Sequence, residues 1–478
     1  MKVLFVASEA FPFIKTGGLG DVAYALPKAL RRLGVDARVI IPKYSLIKDE
    51  YKKNMTRLWE FQIPVGYKEK YCGLWKLEYD EVPFYFIDNE EYFKRSEPYG
   101  EYDDGEKFAY FSKAVLESII HFDDFVPDIL HCNDWHTAMC IPMLQEFYQN
   151  NGIYSHMKTV FTIHNLRYQG VFGKEILWNS LGLGYEYYHE DKLKFYDGVS
   201  FMKGGIVYAN AVSTVSPTYA EEIKNDYFGE GLHGLLRTKS LNLFGILNGL
   251  DTELNDPKTD KHLFENYDEN NLDKKAKNKE KLQKMLNLPV NKDIPMIGMV
   301  TRLADQKGLD LVQAVIEDIL QEDIQFVVLG TGDRKFEDMF KFFAWKYPDK
   351  MSSNIFFDLS LAQKIYGSSD MFLMPSKFEP CGIGQLIALK YGSIPIVRET
   401  GGLNDTVSSY NDFTGEGNGF SFVNYNAHDM LYTIRRAIGC YWNKKIWNNL
   451  VTKGMAGDYT WCKSAKEYVD MYHWAQDH

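Results

Sequence analysis

The chain has no excess of positive charge: 54 Lys and Arg stand against 65 Asp and Glu, a formal net charge of -11 over 478 residues, and no large basic block is present. Nothing therefore supports a nucleic-acid-binding role, which needs a basic face to neutralise phosphates. Cysteine is scarce. The six, Cys72, Cys132, Cys140, Cys381, Cys440 and Cys462, include no Cys-x-x-Cys pair and read as reduced packing thiols. No apolar run reaches the roughly 18 residues needed to span a membrane. The short apolar start, MKVLFVASEAFPF, carries Glu9 and leads straight into a glycine loop, so it reads as a first buried strand in place of a targeting signal. A cytoplasmic location is the expectation. Also missing are G-x-G-x-x-G and the P-loop pattern G-x-x-x-x-G-K-[ST], so neither a dinucleotide site nor an ATPase site is signalled.

What is present is an ordinary globular composition, 45% hydrophobic and 25% charged, on a chain too long for one typical core. Residues 3–7 read as a strand, 11–20 as a loop, 22–33 as a helix and 37–41 as the next strand. That βαβ unit carries KTGGLGD at its first turn and argues for an α/β fold, in which ligands bind beyond the carboxyl ends of the strands. In the loop, Gly17, Gly18 and Gly20 let the backbone approach a ligand, Lys15 offers a charge for phosphate, and Asp21 can begin the helix. Residues 58–87 suggest an antiparallel insertion, and the tyrosine- and acid-rich segment 89–104 a surface loop.

DILHCNDWHT then delivers His131, Asn133, Asp134 and His136 at a strand end, and IHN delivers His164 and Asn165 at another. The histidine spacing does not suit a metal, and polar side chains at the mouth of a cleft are the better reading. The pattern restarts after a polar segment at 252–282. A first domain over 1–245, a second over 246–456 and a terminal helical segment over 457–478 crossing back to the first are expected.

In the second half, strands at 295–300, 326–329, 354–358 and 371–374 place TRLADQKG, GTGD and PSKFEPCGIGQLIALKYG after strand ends. The last stretch is a strand, a tight connection carrying an exposed acid, Glu379, and a helix whose free N–H groups face the same space. On local sequence alone it fits a capped surface helix with a solvated carboxylate equally well. Arg302 and Lys307 are ordinary solvated charges on one reading and neutralise a diphosphate on the other.

Taken together, KTGGLGD, HCNDWHT, IHN, ILNGLD, TRLADQKG, SKFEPCGIGQ and ETGGLNDTV closely resemble the bacterial glycogen (starch) synthases, over nearly the whole chain and in order. The resemblance implies a GT-B architecture, two facing Rossmann-like domains with an interdomain active-site cleft. It implies transfer of glucose from ADP-glucose to the nonreducing end of an α-1,4-glucan with retention of configuration, release of ADP, and no cofactor. By the same resemblance Lys15 and Gly18 would approach the donor, His164 would sit over the reacting sugar, Asp134 would lie toward the acceptor and Asn248 would line the glucose site. Arg302 and Lys307 would hold the departing diphosphate, Phe357 would stack on adenine, Glu379 would hold a glucose hydroxyl, and Gly382 and Ile383 would contribute backbone groups.

Three departures stand out: Lys377 where related enzymes commonly have Arg, together with Gly384 where they have Thr; Ile387 in place of a second Glu of the wider superfamily; and no tryptophan near Asn255. A synthase preferring UDP-glucose and a catalytically silent glucan-binding homologue are the alternatives. Oligomeric state is not legible.

Overall fold

Short strands that are apolar along most of their length, each followed by a loop that leads into a helix, form parallel sheets covered on both faces. In the computed structural model, which describes residues 1–122 and 124–478, the chain divides into two such units: Met1–Gly249 with Trp461–His478, and Leu250–Thr460.

The first unit holds a nine-stranded sheet. Its strands are β1 (Lys2–Val6), β2 (Asp36–Pro42), β3 (Thr56–Val65), β4 (Lys68–Tyr79), β5 (Val82–Asp88), β6 (Ile129–Asn133), β7 (Lys158–Ile163), β11 (Ala211–Thr214) and β12 (Leu243–Gly245), while β8 (Val171–Gly173), β9 (Lys194–Phe195) and β10 (Gly198–Ser200) form a small separate sheet. The order is β12-β11-β7-β6-β1-β2-β5-β4-β3, parallel except for the antiparallel β4 pairings that make the expected insertion. Strand β1 lies between β2 and β6, with Phe5 opposite Val39 on one side and His131 on the other. Since the chain departs from β1 in one direction and returns on its other side, the carboxyl ends of β1 and β6 form the topological switch point of this sheet.

The second unit holds a six-stranded, all-parallel sheet: β13 (Met296–Val300), β14 (Gln325–Leu329), β15 (Met351–Asn354), β16 (Met371–Met374), β17 (Ile394–Arg398) and β18 (Phe420–Phe422), ordered β15-β14-β13-β16-β17-β18. Its switch point falls between β13 and β16. The strand expected at 354–358 lies earlier in the chain, at Met351–Asn354. Ile355, Phe356 and Phe357 looked like strand residues because they are apolar, but they form a loop in which Phe357 is 88% exposed.

The expected domain limits also move. Ile246 N–H still bonds Thr214 O, extending the first unit past 245, and Leu250 N–H bonds Tyr459 O, keeping 457–460 with the second. The returning segment is the helix Trp461–Asp477, which packs on the helix Gly18–Arg32 and on β7 and β11. It buries Trp461, Tyr468 and Tyr472, an aromatic load that water would disfavour.

His131 is a correction. Read as a polar group at a cleft mouth, it is fully buried, with Nδ1 2.8 Å from Tyr472 Oη and Nε2 2.6 Å from Thr162 Oγ1. It fastens the terminal helix to the sheet. Tyr472→Phe leaves Nδ1 without a partner at unchanged ring packing and should cost about 1–3 kcal/mol in urea unfolding; an unchanged midpoint would show that this bond holds nothing.

Candidate active site

In the first unit the carboxyl end of β1 runs into Glu9, whose side chain is 2% exposed. Its carboxylate accepts from Thr16 N–H at 2.8 Å, Thr16 Oγ1 at 2.5 Å, Gly17 N–H at 3.1 Å and Gly20 N–H at 3.0 Å. Burial raises the pKa of Glu9 above the ordinary carboxylate value, while those four bonds oppose the rise. The glycine loop is thus wrapped around a buried acid from the preceding strand. Gly18, the first residue of the helix Gly18–Arg32, is exposed. Lys15 projects from the same loop, and its Nζ pairs with Asp21 Oδ1 at 2.7 Å.

At the end of β6, Asp134 takes φ 56°, a left-handed conformation uncommon for a residue with a side chain. Its Oδ1 accepts from the backbone N–H of His164 at 2.8 Å and of Asn165 at 3.4 Å, tying the end of β6 to that of β7. Burial pushes Asp134 up to about 7. His164 Nε2 lies 2.9 Å from Asn133 Oδ1. The Asn133 amide nitrogen faces two acceptors, Val6 O and His131 O, so Oδ1 is the acceptor and Nε2 carries the proton. Burial holds His164 down to about 3, so it is a neutral ring with Nδ1 as its lone-pair nitrogen. Asn248 is 7% exposed, and its Oδ1 has no hydrogen-bond partner among the described residues.

In the second unit, the loops after β13 and β16 meet. Lys307 Nζ lies 2.7 Å from Glu379 Oε2, which also accepts from Ser376 Oγ at 2.9 Å. Glu379 was expected as an exposed acid. It is 7% exposed and ion-paired, because the Lys307 loop folds over it. Gly308 makes that approach possible: at φ 71°, a Cβ there would fall 2.0 Å from Pro375 O. Lys377 N–H bonds Gln306 O at 2.9 Å and closes the seam. Behind it, Gly402 N–H bonds Glu379 O at 3.1 Å, and a Cβ on Gly401 would fall 1.9 Å from the same oxygen, so the second glycine pair supports the backbone of Glu379.

On the same loop as Lys307, Arg302 is exposed, and its guanidinium has no partner among the described residues. Gly382, at φ 73°, turns the chain into Ile383, the N-cap of the helix Gly384–Lys390. Phe357 stands free of other rings among the described residues, two residues before that of Leu359, which opens the helix Leu359–Ser368. An exposed cation, a buried ion pair, a free helix opening and a free aromatic face within one unit are a fit to a nucleoside diphosphate.

Residues 2–238 match the starch synthase catalytic domain family and residues 279–448 the group 1 glycosyl transferases. A glycogen synthase of Clostridium novyi (strain NT) is 67% identical over 99% of this chain and 98% of its own length. The chain belongs to the glycogen synthase family. A glycogen synthase of Clostridium acetobutylicum is 63% identical, over 99% of each chain. The catalytic domain of starch synthase IV from Arabidopsis thaliana, solved with ADP and acarbose, superposes with a TM-score of 0.94 at 35% identity, over 100% of this chain and 99% of that one. The two Rossmann-like units are those of the GT-B class of glycosyltransferases.

Within this glycogen synthase fold, Lys15, Gly18, Asp134, His164 and Asn248 lie in the first unit, and Arg302, Lys307, Phe357, Glu379, Gly382 and Ile383 in the second. Asp134 and His164 are joined directly, as are Lys307 and Glu379. Glu9 and Ser376 were missed, and Asn133, read only as a polar group at the strand end, accepts from His164 Nε2. For Glu9 the available signal was an acid in an otherwise apolar strand end, followed by a loop rich in backbone amides. Ile387 packs against Tyr366, Phe372, Ala388 and Tyr391, so an apolar contact occupies the place of the second Glu. Asn255 Oδ1 accepts from Gln363 Nε2 at 3.1 Å.

The buried groups of the first unit give a pH dependence. Burial pushes His131, His136 and His164 each down to about 3, whereas unfolded histidine titrates near 6.5. Between those values the unfolded chain binds three protons that the folded chain refuses. Asp134 runs the other way, keeping a proton up to about 7 that an unfolded carboxyl releases near 3.9. A net excess of about two protons on the unfolded chain between pH 4 and 6.5 lowers stability by roughly 2–3 kcal/mol per pH unit on acidification. Urea midpoints at pH 6.5, 5.5 and 4.5 should fall accordingly, and a flat series would contradict the neutral histidines.

Proposed function

We propose that this chain transfers glucose from ADP-glucose to the nonreducing end of an α-1,4-glucan, with retention of configuration and release of ADP. The observation that carries the reading is the buried Lys307–Glu379 pair at the switch point of β13 and β16, with Arg302, unpaired among the described residues, on the same loop. As the anomeric C–O bond breaks, negative charge grows on the leaving diphosphate. Fixed cations then stabilise the transition state more than the ground state. Lys307 and Arg302 are those cations, with Lys15 reaching the donor phosphate and Gly18 offering its backbone.

Glu379 has one oxygen committed to Lys307 and Ser376, which leaves the other to accept from a glucose hydroxyl. Its charge also opposes the positive character of an oxocarbenium-like centre. Asn248 Oδ1, buried and without a partner among the described residues, suits a second sugar hydroxyl. Asp134 holds the backbone at His164, whose carbonyl and neutral ring face the reacting sugar in this reading. Phe357 supplies a stacking face for adenine, and the amides from Gly382 and Ile383 onward receive phosphate oxygens. No carboxylate pair is invoked. Same-face transfer, in which the departing phosphate helps to take the acceptor proton, accounts for retention without one. We place the reaction in the cytoplasm and assign it no cofactor. Among the described residues no helix is long and apolar enough to cross a membrane.

Arg302→Ala is the cleanest test, since the exposed guanidinium has no partner among the described residues and its loss should leave the fold intact. ADP release and glucan lengthening should fall about 100- to 1,000-fold in kcat. Lys307→Ala should fall as far and also lose roughly 3 kcal/mol of stability, because it strands a buried carboxylate. Wild-type turnover in both variants would defeat the assignment.

A further inference from the structure

The loop that leaves β7 with His164 and Asn165 continues into Gln169 and Gly170, whose contacts have no role in the account above. Gly170 turns at φ 60°, and a Cβ there would fall 2.2 Å from the Trp135 ring, so this stretch is seated on the residue that follows Asp134. Gln169 is 8% exposed. Its backbone oxygen accepts from Met202 N–H at 3.0 Å and Ser200 Oγ at 3.4 Å, and its Nε2 donates to Glu230 O at 2.8 Å. The Oε1 of the same carboxamide is buried and has no partner among the described residues. A buried amide left half-satisfied is costly unless something else completes it.

Glu230, held by that amide, is uncommon in two respects. It takes φ 47°, a left-handed conformation that a residue with a side chain seldom adopts, and its exposed carboxylate has no partner among the described residues. Such a backbone persists only where its surroundings hold it, and the Gln169 bond does so here. Beside it stands Tyr196, at the turn between β9 and β10 and also left-handed, at φ 50°. A Cβ on Gly231 would lie 3.1 Å from both Phe195 Cζ and Tyr196 Oη, so the tyrosine lies against the Glu230 loop while 74% exposed. An open aromatic face and an exposed carboxylate, beside the loop of His164, suit a neutral polyhydroxylated ligand. The ring covers the apolar face of a sugar and the carboxylate accepts from its hydroxyls. A phosphate would be repelled by that carboxylate.

We infer that Tyr196 and Glu230 form a subsite for the glucan acceptor in the first unit, binding a glucose ring of the chain beyond the one that is lengthened. Gln169 positions Glu230 through Nε2 and leaves Oε1 to accept from a hydroxyl of the same sugar. The inference rests on the glucosyl-transfer reading and adds where the acceptor chain is held. Contacts remote from the reacting bond hold ground state and transition state alike, so they lower KM for the acceptor and leave kcat unchanged.

Tyr196→Ala and Glu230→Gln alter exposed side chains and should leave the Tm where it was. With purified full-length protein, each should raise KM for maltoheptaose roughly three- to tenfold, at unchanged kcat and unchanged KM for ADP-glucose. Gln169→Leu should raise it at least as far as Glu230→Gln, and combining the two should give less than the product of their effects, since both act on one carboxylate. An unchanged KM for maltoheptaose in Tyr196→Ala and Glu230→Gln overturns the proposal. So does a fall in kcat or a raised KM for ADP-glucose, which marks a role at the donor. Fully multiplicative effects of Gln169→Leu and Glu230→Gln overturn the positioning role. A wild type that transfers no glucose removes the glucosyl-transfer reading and this subsite with it. A wild type that transfers glucose, matched by both surface variants, removes the subsite alone.

Discussion

The ammonium of Lys307 on the carboxylate of Glu379 is the interaction on which the second unit's site is built. A buried ion pair adds little net stability, because desolvating both groups offsets most of their attraction. Its value here is positional. Lys307 follows β13 and Glu379 follows β16, strands that are neighbours in space and 70 residues apart in sequence, and the pair fixes the two loops against each other before any ligand arrives. The surrounding glycines serve that closeness. Gly308 lets the lysine loop lie on Pro375, and Gly401 lets the following turn lie under Glu379, at distances that no side chain would tolerate. What remains outside the pair is Arg302, a cation with no partner to give up among the described residues.

The first unit uses its acids differently. Glu9 and Asp134 both turn their carboxylates onto backbone amides, of the glycine loop in one case and of residues 164 and 165 in the other. A carboxylate used this way organises a loop without needing a cation and without presenting its charge to a phosphate-bearing ligand. The neutral state of His164 follows the same economy, since its Nε2–H is taken by Asn133 and burial disfavours a second proton. In both units the candidate site residues are therefore held by groups that grip the backbone or one another.

Much of this was legible in the sequence because βα repetition assigns chemistry to strand ends. Arg302, Lys307 and Glu379 could be read as a set from their places after apolar runs, and the returning tail from its tryptophans and tyrosines. What was not legible depends on side chains meeting across long intervals. Nothing local distinguishes the buried Glu379 from a solvated one until the Lys307 loop closes on it. His131 looked like its neighbours Asn133 and Asp134, but its position in the pleat sends it under the terminal helix. Residues 355–357 were misread as strand because exposed aromatics carry the same signal as buried ones.

In the proposed reading the exposed ring of Phe357 would accept any base and the apolar Ile387 provides no carboxylate for a ribose, so donor choice is what a measurement must decide. The direct measurement is a comparison of kcat/KM for ADP-glucose, UDP-glucose and GDP-glucose with the purified chain and glycogen, following the nucleoside diphosphate released and the lengthening of the glucan. The account predicts preferential ADP release coupled one-to-one with glucose added to the glucan. Preferential UDP release, or no transfer from any donor by a protein that still binds glycogen, would contradict it.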